Sequence, residues 1–324
     1  MIYDLIIIGG SAAATAAGIY AARRSLNFKI ITKDFGGEVA TSGEIGNWPG
    51  TIQTDGITLA QQFKEHLKFY NVEPEEGTEV EKITWLEDGT FCITVKTGEE
   101  LKIAADKLRD DQKTAPKCDY AAKAVIVATG VHPKELNIPG EREFRNKGVT
   151  YCTVCDGPLF AGKTVAVVGG GNSALEAGLM LADIAEKVYV INKNPVFKGD
   201  AILVDNLKNK KNVEIIYNAK TNKIFGNEFV SGLRYDDETG NARELEVNGV
   251  FIHIGMAPNS NIVPPETKKN AFGEIVVNKN CETNILGLYA AGDMTDTPFK
   301  QIIIAAGQGT TAALNAVNYL NRLK

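Results

Sequence analysis

The stretch Ile6–Ala14, which reads IIIGGSAAA, returns 160 positions later as AVVGGGNSA at Ala166–Ala174. Each copy is a short apolar run, followed by small residues and then by a segment whose apolar residues recur at helical spacing. This order predicts a strand, a tight turn and a helix, which open a βαβ nucleotide-binding fold. Small residues let the backbone approach a pyrophosphate, and the helix N-terminus offers amide donors and a positive dipole. Because a further strand is predicted after each copy, at 28–32 and 188–191, the chain is predicted to hold two dinucleotide-binding domains.

The two turns differ in their glycines. The second turn completes the pattern G-x-G-x-x-A with Gly169, Gly171 and Ala174. In the first turn, Gly9 is followed by Ser11 at the position where the middle glycine is expected. The Cβ of Ser11 would crowd the closest approach of a phosphate, although its hydroxyl can donate a hydrogen bond. We therefore expect the first turn to bind its cofactor with an altered pyrophosphate cradle.

Two cysteines stand at C-x-x-C spacing in the segment Tyr151–Gly157, which reads YCTVCDG. Two thiols at this spacing can close a small disulfide ring, and opening and closing that ring moves two electrons. Asp156 follows the pair directly and is a candidate proton donor or acceptor for a departing thiolate. Cys152, Cys155 and Asp156 therefore predict an oxidoreductase that passes electrons to disulfides.

A zinc site and a structural disulfide are the other interpretations of this pair. A structural zinc needs four ligands, normally a second cysteine pair or two histidines. The remaining cysteines and histidines are scattered singly along the chain: Cys92, Cys118, Cys281, His66, His132 and His253. A structural disulfide is rare in a cytosolic chain, which is kept reduced, so the redox interpretation is favoured. The three single cysteines are expected to be buried as small hydrophobes, except Cys118, whose polar surroundings favour exposure.

Composition and charge indicate a soluble cytoplasmic enzyme. The 324 residues are enough for two domains. The formal net charge of −5 is modest and there is no basic run, so neither nucleic acid nor a membrane is an expected partner. The N-terminus enters a predicted strand at once, which predicts neither a signal peptide nor a transmembrane helix. The odd number of five cysteines argues against a secreted disulfide scaffold.

Strand and turn patterns predict that the second domain lies within the first. The buried run at 124–130 is predicted to be a strand that ends in a turn, after which an extended connector begins. Between Leu101 and Asp119 lies a charged insert, which we interpret as a solvated hairpin tip or helix. Residues 228–247 alternate apolar and polar side chains around a turn at 237–240, which predicts a β-meander.

The run at 250–254 is expected to lead back to the first domain. The last element of that domain is predicted to be an amphipathic helix within 302–323 that begins near Gly307. The predicted domain limits are 1–130 and 250–324 for the two parts of the first domain, and 131–249 for the inserted one.

Seven motifs, taken together and in this order, are highly specific for one protein family. They are Asn47–Gly50 (NWPG), Ala128–Gly130 (ATG), Cys152–Gly157 (CTVCDG), Gly169–Ala174 (GGGNSA), Gly255–Asn259 (GMAPN), Ala291–Asp293 (AGD) and Lys300–Ile302 (KQI). With them, nearly the whole chain resembles the low-molecular-weight thioredoxin reductases, and it is also similar to the C-terminal part of the alkyl hydroperoxide reductase flavoprotein. The resemblance implies an α/β fold with two Rossmann-like dinucleotide-binding domains of the three-layer ββα sandwich type, the second inserted in the first. It also implies a homodimer.

The resemblance implies that FAD lies in the first domain. The residues implied around it are Gly9, Ser11, Ala12, Ala13, Gly36, Gly37, Glu38, Asn47, Ala128, Thr129, Gly130, Gly292, Asp293, Lys300, Gln301 and Ile302. Glu38 stands where the family usually has glutamine. Asn47 would face the flavin ring, and Asp293 would accept a hydrogen bond from the ribityl chain, a helix or turn cap being the alternative role for this carboxylate. Backbone amides of Gln301 and Ile302 would place a positive helix end near the reduced, anionic flavin.

The resemblance also assigns different roles to the two cysteines. Cys155 would receive electrons from the reduced flavin, Cys152 would attack the disulfide of thioredoxin or a glutaredoxin-like protein, and Asp156 would manage the proton. The pair must face first the flavin and then a protein substrate, which the family achieves by rotating the inserted domain. The implied hinges lie near 130–132 and 248–249.

The resemblance leaves the nicotinamide donor open. The implied nucleotide site consists of Gly169, Gly171, Asn172, Ser173, Ala174, Asn192, Lys193 and Lys198. NADP-specific relatives carry arginines that hold the 2′-phosphate, whereas Lys193 and Lys198 lack the bidentate fork of a guanidinium. NADH-specific sites favour an acidic residue where Asn192 stands. NADPH and NADH therefore both stay open as donors.

Two further hypotheses assign the chain to other functional classes. Some reductases of similar build take electrons from ferredoxin and have a degraded nucleotide site, but here Gly169, Gly171 and Ala174 are intact. A flavin-binding sensor without catalysis is the last alternative, and the intact Cys152–Asp156 segment argues against it.

Overall fold

The computed structural model describes residues 2–42, 44–96 and 118–323. Its helices are α1 (Ala12–Arg23), α2 (Gly37–Ala40), α3 (Gly56–Phe69), α4 (Thr153–Asp156), α5 (Asn172–Ala182), α6 (Ala201–Lys208) and α7 (Ile302–Arg322), with a 3-10 helix at Gly157–Phe160. Its strands are β1 (Ile2–Ile8), β2 (Phe28–Ile31), β3 (Glu44–Ile45), β4 (Thr54–Asp55), β5 (Val80–Trp85), β6 (Phe91–Val95), β7 (Tyr120–Val127), β8 (Val131–Pro133), β9 (Val149–Thr150), β10 (Thr164–Val168), β11 (Lys187–Ile191), β12 (Val213–Ile216), β13 (Lys220–Gly226), β14 (Val230–Asp236), β15 (Ala242–Glu246), β16 (Gly249–Ile252), β17 (Met256–Pro258) and β18 (Leu288–Ala290). These residues divide into two compact units: the first holds those within 1–42, 48–132 and 257–324, and the second those within 43–47 and 133–256.

The first unit is built around strand β1. This strand pairs in parallel with β2 and β7, and β18 pairs in parallel with β7. Strands β6 and β5 continue the sheet from β7 in antiparallel fashion. Residues 5–8 of β1 are all buried, as expected of a parallel strand covered on both faces. Helices α1 and α7 pack so closely that a Cβ on Gly309 would lie 2.0 Å from the carbonyl oxygen of Ala13.

The second unit has three layers. Five parallel strands form a sheet in the order β12-β11-β10-β16-β9, and β13, β14 and β15 form a separate antiparallel sheet. Because side chains alternate along a strand, β10 contributes to two cores. Val165 and Val167 pack with residues of α5, while Ala166 and Val168 pack with residues of β14. The parallel sheet therefore lies between a helical layer and a β-meander.

The structure confirms the predicted fold class. Both copies of the repeat form strand, turn and helix, as β1 with α1 and as β10 with α5. The second unit is inserted in the first along the chain. The predicted meander is also present, with the turn at 237–240 between β14 and β15. Its first strand, β13, begins before the predicted segment.

The return to the first unit differs from the sequence prediction. Strand β16 pairs in parallel with β10 and β9, so it belongs to the second unit, whereas the predicted domain limit at 250 cuts through it. A buried strand of a parallel sheet is a continuous apolar run, which does not reveal its neighbours. The chain leaves the second unit after Met256 instead. The expected hinge at 248–249 consequently falls between β15 and β16, inside the second unit.

The last helix begins earlier than the expected start near Gly307, at the position that the resemblance implied for its N-terminal amides. It starts at Ile302, and Gly307 and Gly309 lie within it. Glycine is unfavourable inside a helix, but the close contact of α7 with Ala13 excludes a side chain at Gly309. Most of the charged insert, 97–117, lies outside the described residues. Within the described ranges, no helix combines the length and the apolarity needed to cross a bilayer.

Candidate functional site

The first turn consists of glycines that lie against neighbouring strands. Gly9 has a φ of +135°, and a Cβ there would lie 2.1 Å from the carbonyl oxygen of Ala128. A Cβ on Gly10 would lie 2.5 Å from the Thr32 hydroxyl oxygen. Side chains are therefore excluded from this side of the turn. Such close helix–strand packing is what a pyrophosphate-binding turn requires.

Ser11 stands at the beginning of helix α1. It is the N-cap residue of that helix, and its hydroxyl makes no capping hydrogen bond. A Cβ built on Gly37 would lie 3.4 Å from the Cβ of Ser11, so the start of α2 is close. Because the hydroxyl does not cap the helix, it can donate to a phosphate oxygen at this N-terminus.

Glu38 lies in the first turn of α2 and contacts a histidine. Its Oε1 lies 2.7 Å from Nδ1 of His132. Helix α2 is held near the first turn because the Gly36 N–H donates to the carbonyl oxygen of Gly10 at 2.8 Å. The sequence predicted Glu38 at this site but treated His132 as isolated. The structure therefore adds His132 to the residues around the predicted flavin site.

Asp293 carries a partly buried carboxylate at this site. Burial raises its pKa, while nearby Lys300 lowers it and Glu38 raises it further. Among the described residues, no hydrogen bond to this carboxylate contributes to the shift. A desolvated carboxylate without a donor is costly unless a ligand supplies one. The ribityl hydroxyls of a flavin are donors of the required kind.

The end of strand β7 and the start of helix α7 complete this region. Thr129 donates from Oγ1 to the carbonyl oxygen of Asn259 at 2.7 Å. Gly130 has a φ of +66°. Gln301 is the N-cap residue of α7, and the Lys300 ammonium donates to the Thr295 carbonyl oxygen at 2.5 Å.

The expected FAD residues fit that cofactor. The first unit brings together the glycine turn, the start of α2, the end of β7, the Asp293 carboxylate and the start of α7. The excluded side chains at Gly9 and Gly10 and the Asp293 carboxylate are the features that a bound dinucleotide would use. Asn47 is exposed and belongs to the segment 43–47, which clusters with the second unit. Its expected contact with the flavin stays a prediction.

The second turn has the same design as the first. Gly169 has a φ of +158°, and a Cβ there would lie 2.2 Å from the carbonyl oxygen of His253. A Cβ on Gly171 would meet nothing within 4 Å, so the backbone is open on that side. Asn172, at the start of α5, donates from its amide to Asp200 at 3.0 Å and accepts the Asp200 N–H at 2.7 Å. The turn is thus closed by strands on one side and open on the other.

Asn192 is buried and bonded within its own loop. It is 1 % exposed, its amide donates to the Val196 carbonyl oxygen at 2.9 Å, and its Oδ1 accepts the Asn194 N–H at 3.1 Å. These bonds occupy the polar atoms that were expected to meet a ribose. Lys193 and Lys198 are exposed. Asn192 therefore shapes the loop that carries the two lysines.

The C-x-x-C pair forms a disulfide at the start of helix α4. The Cα atoms of Cys152 and Cys155 are 5.3 Å apart. Cys152 is the N-cap residue, and its Sγ accepts the backbone N–H of Cys155 at 3.2 Å. Cys152 is partly buried and Cys155 is exposed. An amide that donates to Sγ favours negative charge on that sulfur, so it promotes the thiolate that exchange chemistry needs.

Asp156 ends the same helix. Its carboxylate accepts a hydrogen bond from the Thr150 hydroxyl. Burial raises the pKa of Asp156, and the hydrogen bond from Thr150 opposes the shift. A raised pKa brings a carboxyl group nearer to the pH at which it can give and take protons. The structure thus places a candidate proton donor beside the cysteine pair.

His253 links the dithiol helix to the second turn. Its Nε2 lies 2.7 Å from Thr153 Oγ1 and its Nδ1 lies 2.9 Å from Ser173 Oγ. Burial lowers the pKa of His253 to about 4. The sequence treated this histidine as isolated, because its two partners are far away along the chain. The parallel pairing of β16 with both β10 and β9 brings the three side chains together.

Cys92 and Cys118 are not single cysteines, as the sequence predicted, but a second disulfide. Cys92 is buried and Cys118 is exposed, which agrees with the exposure expected for each. Cys281 is buried and unpaired. The pairing was missed because the two residues lie 26 positions apart in sequence. No group of three or more potential metal ligands occurs among the described residues.

A family model for pyridine nucleotide-disulphide oxidoreductases matches residues 3–309. The chain belongs to this family. The relatives of known sequence include a component of the alkyl hydroperoxide reductase of Escherichia coli K12, 40 % identical over 326 residues, and a Bacillus subtilis protein named NADH dehydrogenase, 38 % identical over 321 residues. Each alignment covers 99 % of this chain but 59 % of the relative, so the chain spans about three fifths of their length.

Solved structures of thioredoxin reductases resemble the whole chain. The enzyme from Streptococcus pyogenes has a TM-score of 0.87 and 32 % identity, with 99 % of both chains covered. The chain therefore has the thioredoxin reductase fold that the sequence motifs implied. Family membership implies a flavin and a pyridine nucleotide.

Proposed function

We propose that this chain is a thioredoxin-disulfide reductase that carries electrons from a reduced nicotinamide, through FAD and the Cys152–Cys155 pair, to thioredoxin or a glutaredoxin-like protein. The observation that carries the proposal is the disulfide at the start of α4. There the Cys155 N–H points at Cys152 Sγ, and the carboxyl group of Asp156, whose pKa is raised, ends the same helix. A purely structural disulfide needs neither an amide donor nor a proton donor.

Each cysteine of the pair carries out one nucleophilic attack in the exchange reaction. Two electrons and two protons open the Cys152–Cys155 bond and give two thiols. The Cys152 thiolate then attacks the disulfide of the partner, which forms a mixed disulfide and releases the first partner thiolate. Cys155 attacks Cys152 Sγ, which restores the ring and releases the second partner thiolate. Asp156 supplies a proton to the first departing partner thiolate and takes one from the Cys155 thiol when that thiol becomes the attacking thiolate.

The first unit would hold FAD through the residues already described. When bound, FAD would accept a hydride from the nicotinamide and supply two electrons to the disulfide. The backbone at Gly9 and Gly10 and the hydroxyl of Ser11 would meet its pyrophosphate, and Asp293 would accept a ribityl hydroxyl. The N-terminal amides of α7 would stabilise negative charge near its pyrimidine edge.

We further propose that the donor is NADH rather than NADPH. A 2′-phosphate is best held by the bidentate fork of arginine, and residues 192–200 contain none. The exposed Lys193 and Lys198 offer only point charges, and Asn192 is committed to its own loop. The Bacillus subtilis relative is named NADH dehydrogenase, which agrees with this choice.

The test is anaerobic bleaching of the flavin, carried out separately with NADH, NADPH and reduced ferredoxin. We expect NADH to bleach it fastest, and subsequent addition of oxidised thioredoxin or a glutaredoxin-like protein to restore the colour. If reduced ferredoxin alone bleached the flavin, the electron donor would be ferredoxin and not a nicotinamide. Bleaching without transfer to any protein disulfide would contradict the reductase activity. The homodimer and the cytoplasmic location stay predictions, and light scattering on the purified protein would test the first.

A further inference from the structure

The strongest unassigned feature is the bridge made by His253 within the second unit. The histidine directly follows β16, and its carbonyl oxygen lies beneath Gly169 of the nucleotide turn. Its two ring nitrogens contact hydroxyls on two different helices, Thr153 at 2.7 Å and Ser173 at 2.9 Å. Thr153 stands between the two cysteines as the first residue of α4. Ser173 lies in the first turn of α5, at the site of the expected pyrophosphate. One ring therefore connects the dithiol to the nucleotide turn.

The protonation of this ring restricts how the bridge can be arranged. Burial lowers the pKa of His253 to about 4, so the imidazole is neutral near neutral pH. A neutral imidazole has one donor and one acceptor nitrogen, whereas each hydroxyl can act in either role. Without a ligand, two arrangements of the bridge are therefore open. In one, Nδ1 donates to Ser173, and in the other, Nε2 donates to Thr153.

A bound pyrophosphate would select one of these arrangements. A phosphate oxygen at the turn accepts hydrogen bonds and donates none, so the Ser173 hydroxyl would turn its proton toward it. Ser173 Oγ would then have to accept from Nδ1–H of His253. Nε2 would be left as an acceptor, and the Thr153 hydroxyl would donate to it. Nucleotide binding would thus fix the direction of the hydroxyl proton of Thr153, which lies between Cys152 and Cys155.

We propose that His253 is a positioning residue that couples nucleotide binding at Ser173 to the thiol–disulfide equilibrium of Cys152 and Cys155. This proposal rests on the function proposed above, since it needs a nucleotide at the second turn and a redox-active pair. Coupling of this kind is reciprocal. If the nucleotide shifts the equilibrium of the pair, then the redox state of the pair changes the affinity for the nucleotide by the same factor.

The coupling can be measured without turnover. The full-length flavin-loaded protein is equilibrated anaerobically in buffers of reduced and oxidised dithiothreitol, which exchange two electrons and two protons with the cysteine pair. The probe is ADP-ribose, which carries the pyrophosphate but cannot donate a hydride. Thiols are then alkylated, and the modified fraction of Cys152 is read from peptide masses. We expect ADP-ribose to change the equilibrium constant of the wild-type pair about threefold, which corresponds to about 14 mV.

Variants separate positioning from a general structural role. His253→Leu removes both hydrogen bonds, and Ser173→Ala and Thr153→Val each remove one. In all three variants, the factor by which ADP-ribose changes the equilibrium constant should fall to about one. His253→Gln keeps one donor and one acceptor and should restore part of the coupling. His66→Gln is the matched control, because His66 is an exposed histidine on α3 of the other unit, and it should behave as wild type.

Two results would overturn the proposal. One is a wild-type pair whose equilibrium does not respond to saturating ADP-ribose. The other is undiminished coupling in Ser173→Ala or Thr153→Val, which decides the matter even where His253→Leu does not fold. Neither result bears on whether NADH bleaches the flavin, so a failure of the coupling is distinguishable from a failure of the proposed function.

Discussion

Cys92 on β6 and Cys118, just before β7, are joined by a disulfide, with their Cα atoms 5.3 Å apart. Cys92 is buried at 1 % exposure, and its neighbour across the sheet is Ala121 of β7. The bond spans 26 positions of sequence. It therefore ties strand β6 to the residues that precede β7 in the first unit. A cross-link of this length removes conformational freedom chiefly from the unfolded chain.

The Cys92–Cys118 bond should stabilise the first unit. We expect Cys118→Ser to lose roughly 3 kcal/mol of stability without reductant, from the entropy of closing a loop of this length. The melting temperature, followed by circular dichroism, should fall by roughly 5–10 °C. Wild type in excess reductant is the matched control, and there the difference should disappear. Alkylation of the denatured oxidised protein should reveal one free thiol, that of Cys281. Three free thiols would refute the pairing of Cys92 with Cys118.

Cys152 should be needed for exchange with the protein substrate but not for reduction of the flavin. Cys152→Ser removes the attacking sulfur, so reduction of thioredoxin should stop, whereas bleaching of the flavin by the nicotinamide should continue at the wild-type rate. Stopped-flow absorbance measures the bleaching, and an insulin-coupled assay measures the reduction. Cys281→Ala serves as the control, because that thiol is buried and unpaired, and it should retain turnover. Turnover in Cys152→Ser would contradict the assigned role.

Asp156 should act as an acid in the exchange step. Asp156→Asn cannot release a proton, so we expect thioredoxin reduction to fall about 100-fold, with flavin bleaching unaffected. Protonated Asp156 is the active form, so activity should fall as the pH rises through its raised pKa. The Thr150 hydrogen bond lowers that pKa, and Thr150→Val should move the fall to higher pH. A shift of the pH profile to lower pH would contradict this assignment.

Ser11 should contribute a hydrogen bond to the flavin pyrophosphate. Ser11→Ala keeps the Cβ and removes the hydroxyl, so we expect the dissociation constant for FAD to rise about fivefold, equivalent to about 1 kcal/mol. Fluorescence titration of the apoprotein measures it. Ser11→Gly removes the Cβ as well and shows whether that atom crowds the phosphate. Unchanged binding in Ser11→Ala would mean that the hydroxyl makes no contact with the cofactor.

His253 should make the second unit sensitive to acid. Burial holds its pKa at about 4, below the value of 6.5 for a free histidine. The unfolded chain therefore binds more protons between these values, and stability is lost as the pH falls from about 6.5 toward 4. The loss is at most about 3 kcal/mol for this group. His253→Gln should lose less stability between pH 7 and pH 4.5 in thermal melts, whereas His66→Gln should match wild type. Equal acid sensitivity in all three proteins would refute the effect.

Local patterns in the sequence were enough to predict the two nucleotide turns and the dithiol. Gly9 and Gly169 were recognised from the spacing of small residues in a strand–turn–helix pattern, although the carbonyl oxygens that exclude a Cβ there, those of Ala128 and His253, are distant along the chain. Cys152 and Cys155 were likewise recognised from their spacing, because one local turn of so short a segment is enough to bring them within bonding distance. The fold class followed because the repeated pattern has one well-known structural solution.

Other features could not be predicted without knowing the order of the strands in the sheets. Strand β16 was assigned to the wrong unit because an apolar run does not reveal its neighbours, and the sequence does not reveal that the Asn192 amide donates within its own loop. His253 and the Cys92–Cys118 bond were missed for the same reason.

The amino-acid sequence by itself determined two glycine-containing strand–turn–helix units, a closely spaced cysteine pair and an inserted arrangement of domains, because each depends on periodicity and spacing along the chain. Only the tertiary structure decided which distant side chains meet: Cys92 with Cys118, and His253 with Thr153 and Ser173. The physical reason is that strand pairing places residues far apart in sequence within hydrogen-bonding or bonding distance. That pairing follows from packing of the whole core and not from any local segment.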